Sequence, residues 1–231
     1  MGRRLTVLGI IPARGGSKAL PGKHLMTLNR VSLIGRALDS ASKSTLLTDV
    51  FVSTDNREIE DEAKRHGAVV LRRPDFLATD ECGMAPVLQH ATNEAWRITK
   101  RQPDLIVCLQ PTSPFRTGAR IDETIRKVID TGADSAQTVR LVSYSPYFMS
   151  KLDGDRVIAL NTVHVFVRRQ DAPPVYMPTG SVYVTRYRTL MDGHRVLGND
   201  NRAVVCGFEE SVNIDTIWDY RLAELIAREL G

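Results

Sequence analysis

The sequence predicts a three-layer α/β fold, a mostly parallel sheet with helices on both faces. Two observations carry this. Short β-branched runs such as Leu5–Ile11 and Leu105–Leu109 are apolar throughout, as strands covered on both faces are. Between such runs, apolar residues recur at three- and four-residue spacing, giving the β-α-β-α alternation of a parallel sheet wrapped by helices. With 231 residues, 42% hydrophobic and 25% charged, the chain carries enough apolar material for one core without a disulfide or metal staple.

The elements follow in order. After the first strand, Leu33, Ile34, Ala37, Leu38 and Ala41 fall at helical spacing. Asp49–Ser53 reads as a strand and Arg57–His66 as a helix stopped by Gly67. Ala68–Leu71 is the third strand. A long helix then turns Val87, Leu88, Ala91, Ala95 and Ile98 to one face. Beyond Leu105–Leu109, Ile121–Ile129 is helical and Ser135–Leu141 a strand. Pro146, Pro173, Pro174 and Pro178 break the rhythm between Ser143 and Pro178, so this stretch reads as an excursion from the sheet. Ser181–Thr185 and Ala203–Cys206 return to strands. Thr216–Leu230 closes the chain as a helix with Trp218, Leu222, Leu225 and Ile226 inward. No repeat or linker interrupts residues 1–231, which predicts one domain with an inserted arm at about 143–178.

Charge and cysteine content narrow the function. Thirty-one Lys and Arg against 27 Asp and Glu leave +4, which suits a handler of small anions and falls well short of a nucleic-acid coat. Cys82, Cys108 and Cys206 form no CxxC pair, so the expectation is a reducing, cytoplasmic setting. No stretch approaches eighteen apolar residues, and no membrane partner is expected.

The most informative segment is Ile11–Leu25, directly after the first strand. In an open α/β sheet it lies at the carboxyl edge, where ligands bind. Gly15 and Gly16 let backbone N–H groups converge on an anion, and Arg14, Lys18 and Lys23 supply three cations. A Gly-Gly pair alone marks only a turn, and loop lysines alone are solvated; their coincidence after a buried strand points to phosphate. The segment is neither a P-loop nor a G-x-G-x-x-G fingerprint, which disfavours a nicotinamide enzyme. Gln110–Arg116 follows another strand at the same edge, with hydrogen-bonding side chains between two prolines. Asp215 precedes the last helix, where a carboxylate either favours the helix N-terminus or holds Mg²⁺.

Six ordered segments resemble the acylneuraminate cytidylyltransferases: Ile11–Lys23, Val52–Asp55, Arg73–Asp80, Gln110–Arg116, Arg169–Pro173 and Ile214–Thr216. The resemblance implies the nucleotide-diphospho-sugar transferase type of fold, with a small dimerisation arm and a homodimer with shared sites. It implies transfer of CMP from CTP to the anomeric hydroxyl of a nine-carbon 2-keto sugar acid, releasing pyrophosphate. Another ulosonic acid (pseudaminic, legionaminic or octulosonate type) and a weakly active CTP-binding homologue stand as alternatives. On this reading Lys23, Asp215 and Arg14 are catalytic. Ala13, Arg14, Gly15, Gly16, Ser17, Lys18, Lys23, His24, Arg73 and Gln110 bind nucleotide, and Gln110, Arg169, Thr179 and Tyr183 meet the sugar. Asp215 and Asn213 hold Mg²⁺. The chain departs from the family pattern at His24, Met177, Thr179 and Asn213, where relatives commonly carry Asn, Arg, Asn and an acid.

Overall fold

The structure is a computed structural model describing residues 4–160, 168 and 172–230. Its strands are β1 (Val7–Pro12), β4 (Asp49–Thr54), β5 (Val69–Arg72), β6 (Leu105–Cys108), β7 (Ser135–Leu141), β10 (Tyr176–Arg186) and β11 (Asn201–Val205), joined in one seven-stranded sheet. Two small ribbons lie apart from it: β2 (Thr27–Leu28) with β3 (Val31–Ser32), and β8 (Ser150–Asp153) with β9 (Arg156–Ala159). The sheet order is β11-β7-β10-β6-β1-β4-β5. Every neighbouring pair is parallel except the two made by β10, which runs antiparallel to both β6 and β7.

Alternation along each strand divides the core in two. Val7 and Ile11 of β1, Val52 of β4 and Val107 of β6 face α1 (Leu33–Ser42), α2 (Arg57–Arg65) and α4 (Gly118–Thr131), meeting Ile34, Ala37, Ile59, Ala63, Ile121 and Ile125. Leu8, Ile10, Phe51 and Ile106 point the other way, onto Leu88, Ala91 and Ala95 of α3 (Met84–Thr99) and Leu190 of α5 (Tyr187–Met191). Continuous apolar runs therefore serve both layers, as a sheet with helices on both faces requires.

Three sequence expectations need correcting. Ile98 is 56% exposed, beyond the buried stripe that ends at Ala95 in α3. In the last helix, α6 (Ile217–Glu229), the inward face is Ala223, Ile226 and Ala227, while Trp218, Leu222 and Leu225 are exposed. A capping box between Thr216 and Asp219 fixes where α6 begins, and Tyr220 Oη donates to the Thr27 carbonyl at 2.6 Å; together they set the helix rotation so that small alanines approach Leu28, Leu33 and Ile214. Finally, Ser181–Thr185 is part of an eleven-residue strand beginning at Tyr176, so β10 takes in the end of the stretch read as an excursion. The short helix α5 has too few residues for periodicity to reveal it.

One buried carboxylate ties the helical layer to the sheet. Asp122 in α4, only 4% exposed, accepts from Ser44 Oγ, from the Thr45 amide and hydroxyl and from the Leu46 amide, securing the turn between α1 and β4. Burial alone raises its pKa, but these donors together outweigh burial and hold it below the ordinary 3.8. Its stabilisation is therefore present above the unfolded-state value and is lost as pH falls through the lowered folded one. Asp122→Ala should cost about 2–4 kcal/mol in urea unfolding at pH 7 by orphaning these donors, and the gap to wild type should close below about pH 3.8.

Candidate active site

The loops that follow β1, β4, β5 and β6 all emerge at the carboxyl edge because those strands are parallel. β10 runs the opposite way, so its first half arrives at the same edge, with Tyr183 beside Cys108 at the end of β6. Residues from distant parts of the sequence thus converge on one cleft with two chambers. The first, of about 240 Å³, is lined by Arg14, Lys23, His24, Arg73, Asp80, Cys82 and Gln110, among others. The second, of about 450 Å³, is lined by Gln110, Arg140, Met177, Thr179, Tyr183, Phe208, Asn213 and Leu222, among others. Gln110 and Asp215 line both.

Lys23 and Asp215 meet at this boundary. Lys23 Nζ lies 3.0 Å from Asp215 Oδ1 and also donates to the Ile214 carbonyl at 3.4 Å. The lysine side chain is largely covered and the aspartate open, so the pair presents its carboxylate to the cleft. Asp215 is held from three sides. Asn213 Nδ2 donates to its Oδ2 at 2.6 Å, Asp219 accepts from its backbone amide at 3.1 Å, and the Ile214 amide donates to the Thr112 carbonyl at 2.8 Å. The last bond links the segment to the Gln110 loop.

The glycine loop is drawn in by carboxylates. The Gly15 amide donates to Asp55 Oδ1 at 3.1 Å, so this N–H is turned to Asp55 rather than left open to an anion. A Cβ at Gly15 would lie 2.8 Å from Asn56 Cβ and Nδ2, so only glycine permits this approach, while Gly16 faces open space. Ala13 is fully buried and its amide donates to the Ser53 carbonyl, and the Ser17 amide bonds back to the Gly15 carbonyl. Arg14 and Lys18 both contact Asp80, at 2.5 and 2.6 Å. Hydrogen bonds from Lys18 and Arg14 hold the Asp80 carboxyl below its usual range. Asp80 and Asp55 go unremarked by sequence reasoning as site residues, although each closes a segment quoted for the resemblance.

Arg73 is buried, donating through Nε and Nη2 to the Ser53 hydroxyl and carbonyl. His24, 6% exposed, lies in the first chamber with its Nδ1 unpartnered. Burial, with the charges of Lys23, Arg73 and Arg14, pushes its pKa down to about 3, so the imidazole is neutral at pH 7. Arg116 is buried beneath the floor, donating to the Gln110 and Ser181 carbonyls at 3.0 and 2.8 Å; it braces the loop instead of offering charge to the cleft. Thr179 reaches the wall of the second chamber, but its hydroxyl is engaged with Thr138 Oγ at 2.7 Å. Tyr183 lies in the same wall, its pKa raised by burial. Arg169 lies outside the described residues.

Among the described residues no group of three His, Cys, Asp or Glu side chains comes together to hold a metal. The oxygens on offer are the open Asp215 carboxylate and Asn213 Oδ1, a buried carbonyl oxygen without a hydrogen-bond partner. This hard, sparse donor set suits Mg²⁺, which takes one or two protein oxygens and completes its shell with phosphate and water.

An open α/β sheet binds its ligands in a cleft at the carboxyl edge, and likeness to known proteins gives this one its class. A solved structure of CMP:2-keto-3-deoxy-manno-octonic acid synthetase complexed with CTP superposes with a TM-score of 0.72 over 98% of this chain and 100% of that one, at 16% identity, a likeness of fold. The sequence matches the cytidylyltransferase family over residues 8–192, and the chain belongs to that family. Its relatives include the CMP-N,N'-diacetyllegionaminic acid synthase of Legionella pneumophila, 29% identical over 95% of both chains. The N-acylneuraminate cytidylyltransferase of Escherichia coli is 27% identical over 98% of this chain but 53% of its own length, so this chain spans about half of that relative. The resemblance drawn from the six segments is thereby borne out at the level of family.

Neutral His24 ties stability to pH. Its folded-state pKa lies below the unfolded value of 6.5, so the unfolded chain binds a proton that the folded one does not, and stability falls as pH drops from about 6.5 towards 3. His24→Asn should flatten the fall in unfolding free energy between pH 7 and 4 by up to about 1.4 kcal/mol per pH unit, measured by urea titration at each pH.

Proposed function

We propose that the chain transfers CMP from CTP to the anomeric hydroxyl of a nine-carbon 2-keto sugar acid of the N-acylneuraminate type, releasing pyrophosphate. The observation that carries this reading is that one carboxylate, Asp215, and one amide, Gln110, line both chambers, with Lys23 at 3.0 Å from Asp215. A donor in the first chamber and an acceptor in the second would then react across that boundary. The relatives named for sialic and legionaminic acids support an acidic sugar as acceptor.

In the reaction the acceptor oxygen bonds to the α-phosphorus, the bond to pyrophosphate breaks, and the hydroxyl proton leaves to solvent. The chain's part is alignment and charge balance. Arg14 and Lys18, exchanging Asp80 for phosphate oxygens, would hold the triphosphate with the Gly15–Gly16 turn and stabilise the departing pyrophosphate. Lys23 would offset charge building at the α-phosphate. His24 and Arg73 line the nucleotide side, Ala13 and Ser17 belong to the loop behind it, and neutral His24 adds no charge there. Gln110, Tyr183 and the Thr179 wall would position the acid, with Arg169 from the arm. Asp215 and Asn213 would hold Mg²⁺, which when bound screens the phosphates and lowers the pKa of a neighbouring hydroxyl.

A homodimer formed through the arm at 143–178 fits this reading, since the β8–β9 ribbon exposes Leu152 and Val157. Three free cysteines suit a reducing cytoplasm.

Incubation with CTP, Mg²⁺ and a panel of N-acylneuraminate, legionaminate-, pseudaminate- and octulosonate-type acids should release pyrophosphate with at least one acid. Lys23→Ala and Asp215→Ala should keep the wild-type circular dichroism spectrum and lose about 10²-fold or more in turnover. CTP binding without pyrophosphate release from any acid would instead assign the chain a binding role.

A further inference from the structure

We infer that Arg140 recognises the carboxylate of the acceptor, an assignment that rests on the acidic-sugar reading above. Arg140 is the only cation lining the second chamber among the described residues. It lies near the outer end of β7, opposite Met177 of β10 and two residues beyond Thr138, hence on the same face of the strand as the side chain that contacts Thr179. The guanidinium is half-buried and forms no hydrogen bond or ion pair among the described residues. The chain's other cleft arginines do not share this condition: Arg14 is bound to Asp80, Arg73 to Ser53 and Arg116 to two carbonyls.

The remaining charges of the chamber are both negative, Asp215 and Asp219, and both are committed. Asp215 is shared between Lys23 and Asn213, while Asp219 accepts from the Thr216 amide and hydroxyl in the cap of α6. Neither neutralises Arg140, and both repel an entering acid. A monoanionic sugar acid approaching Asp215 therefore needs a cation in the same chamber, and a planar guanidinium grips a carboxylate with two parallel hydrogen bonds. Met177, Phe208 and Leu222 line the same chamber and offer apolar contact to the body of the sugar. The resemblance places Arg169 of the arm against the sugar. Arg140 belongs to the sheet itself and meets the same need without the arm.

The test uses the acid of the panel that wild type turns over fastest, together with its carboxamide. Arg140→Gln should raise KM for the acid about tenfold or more, as losing charge-assisted hydrogen bonds to a carboxylate does, with KM for CTP and the melting temperature unchanged. Arg140→Lys should recover part of the loss. Wild type should discriminate against the carboxamide by a similar factor, and Arg140→Gln should not discriminate. An acid KM within threefold of wild type in Arg140→Gln, with the loss appearing in Arg169→Ala, overturns the assignment while the acidic-sugar reading stands. Equal losses in KM for CTP and acid also overturn it. Wild type inactive on every acid removes the reading itself and the assignment with it.

Discussion

The contact between Lys23 and Asp215 is the constraint on which the site depends. It joins side chains 192 positions apart, and at 3.0 Å it leaves little freedom in how the first loop and the last helix meet. Sheet order makes this possible. β1 and β6 are neighbours, so the loop after one stands beside the loop after the other, and the Thr112–Ile214 hydrogen bond carries that relation on to the segment bearing Asp215. The capping box of α6 then fixes the aspartate's backbone. Loss of any one link would move the carboxylate relative to the ammonium, and positioning errors of an ångström matter at reacting centres.

Charge in the first chamber is partly offset by its own carboxylates and stays in favour of the cations, with Asp80 serving both Arg14 and Lys18 and the Arg73 guanidinium bonded to Ser53. Each cation of the glycine loop has a carboxylate in reach: Asp80 for Arg14 and Lys18, Asp215 for Lys23. Such partners are what a triphosphate must compete with. Lys18 and Asp80 are exposed enough to separate readily, since exposed ion pairs contribute little. Lys23 is covered and less free to leave its place. The outer cations are thus suited to exchange and the inner one to stay, as the proposed transfer would require of groups on a departing pyrophosphate and on the α-phosphate.

Much of the fold is legible in the sequence because both of its layers are written as periodicity. Apolar strands and helices with a single apolar stripe identify themselves, and the strands of the main sheet other than β10, with the α1, α2 and α4 helices, fall within a few residues of expectation. Helix α6 shows where the pattern misleads: it carries two apolar faces, and only the tertiary contacts of Tyr220 and the Thr216 cap choose the one with alanines. The reversed direction of β10 leaves no local trace either, since a strand reads the same both ways. In the site, the cations proposed to meet phosphate announce themselves through the glycine loop. Asp80 and Arg140 do not, because an acid in a surface segment and an arginine at a strand end are ordinary until the partners they have, or lack, are seen.

The central claim is that Lys23 and Asp215 act as one unit on the α-phosphate, and a double-mutant cycle on pyrophosphate release tests it most directly. If they do, the variant lacking both side chains loses no more in kcat/KM than the worse single variant, as residues that work together behave. Losses that multiply across the two sites would mean that each acts alone, and would contradict the account.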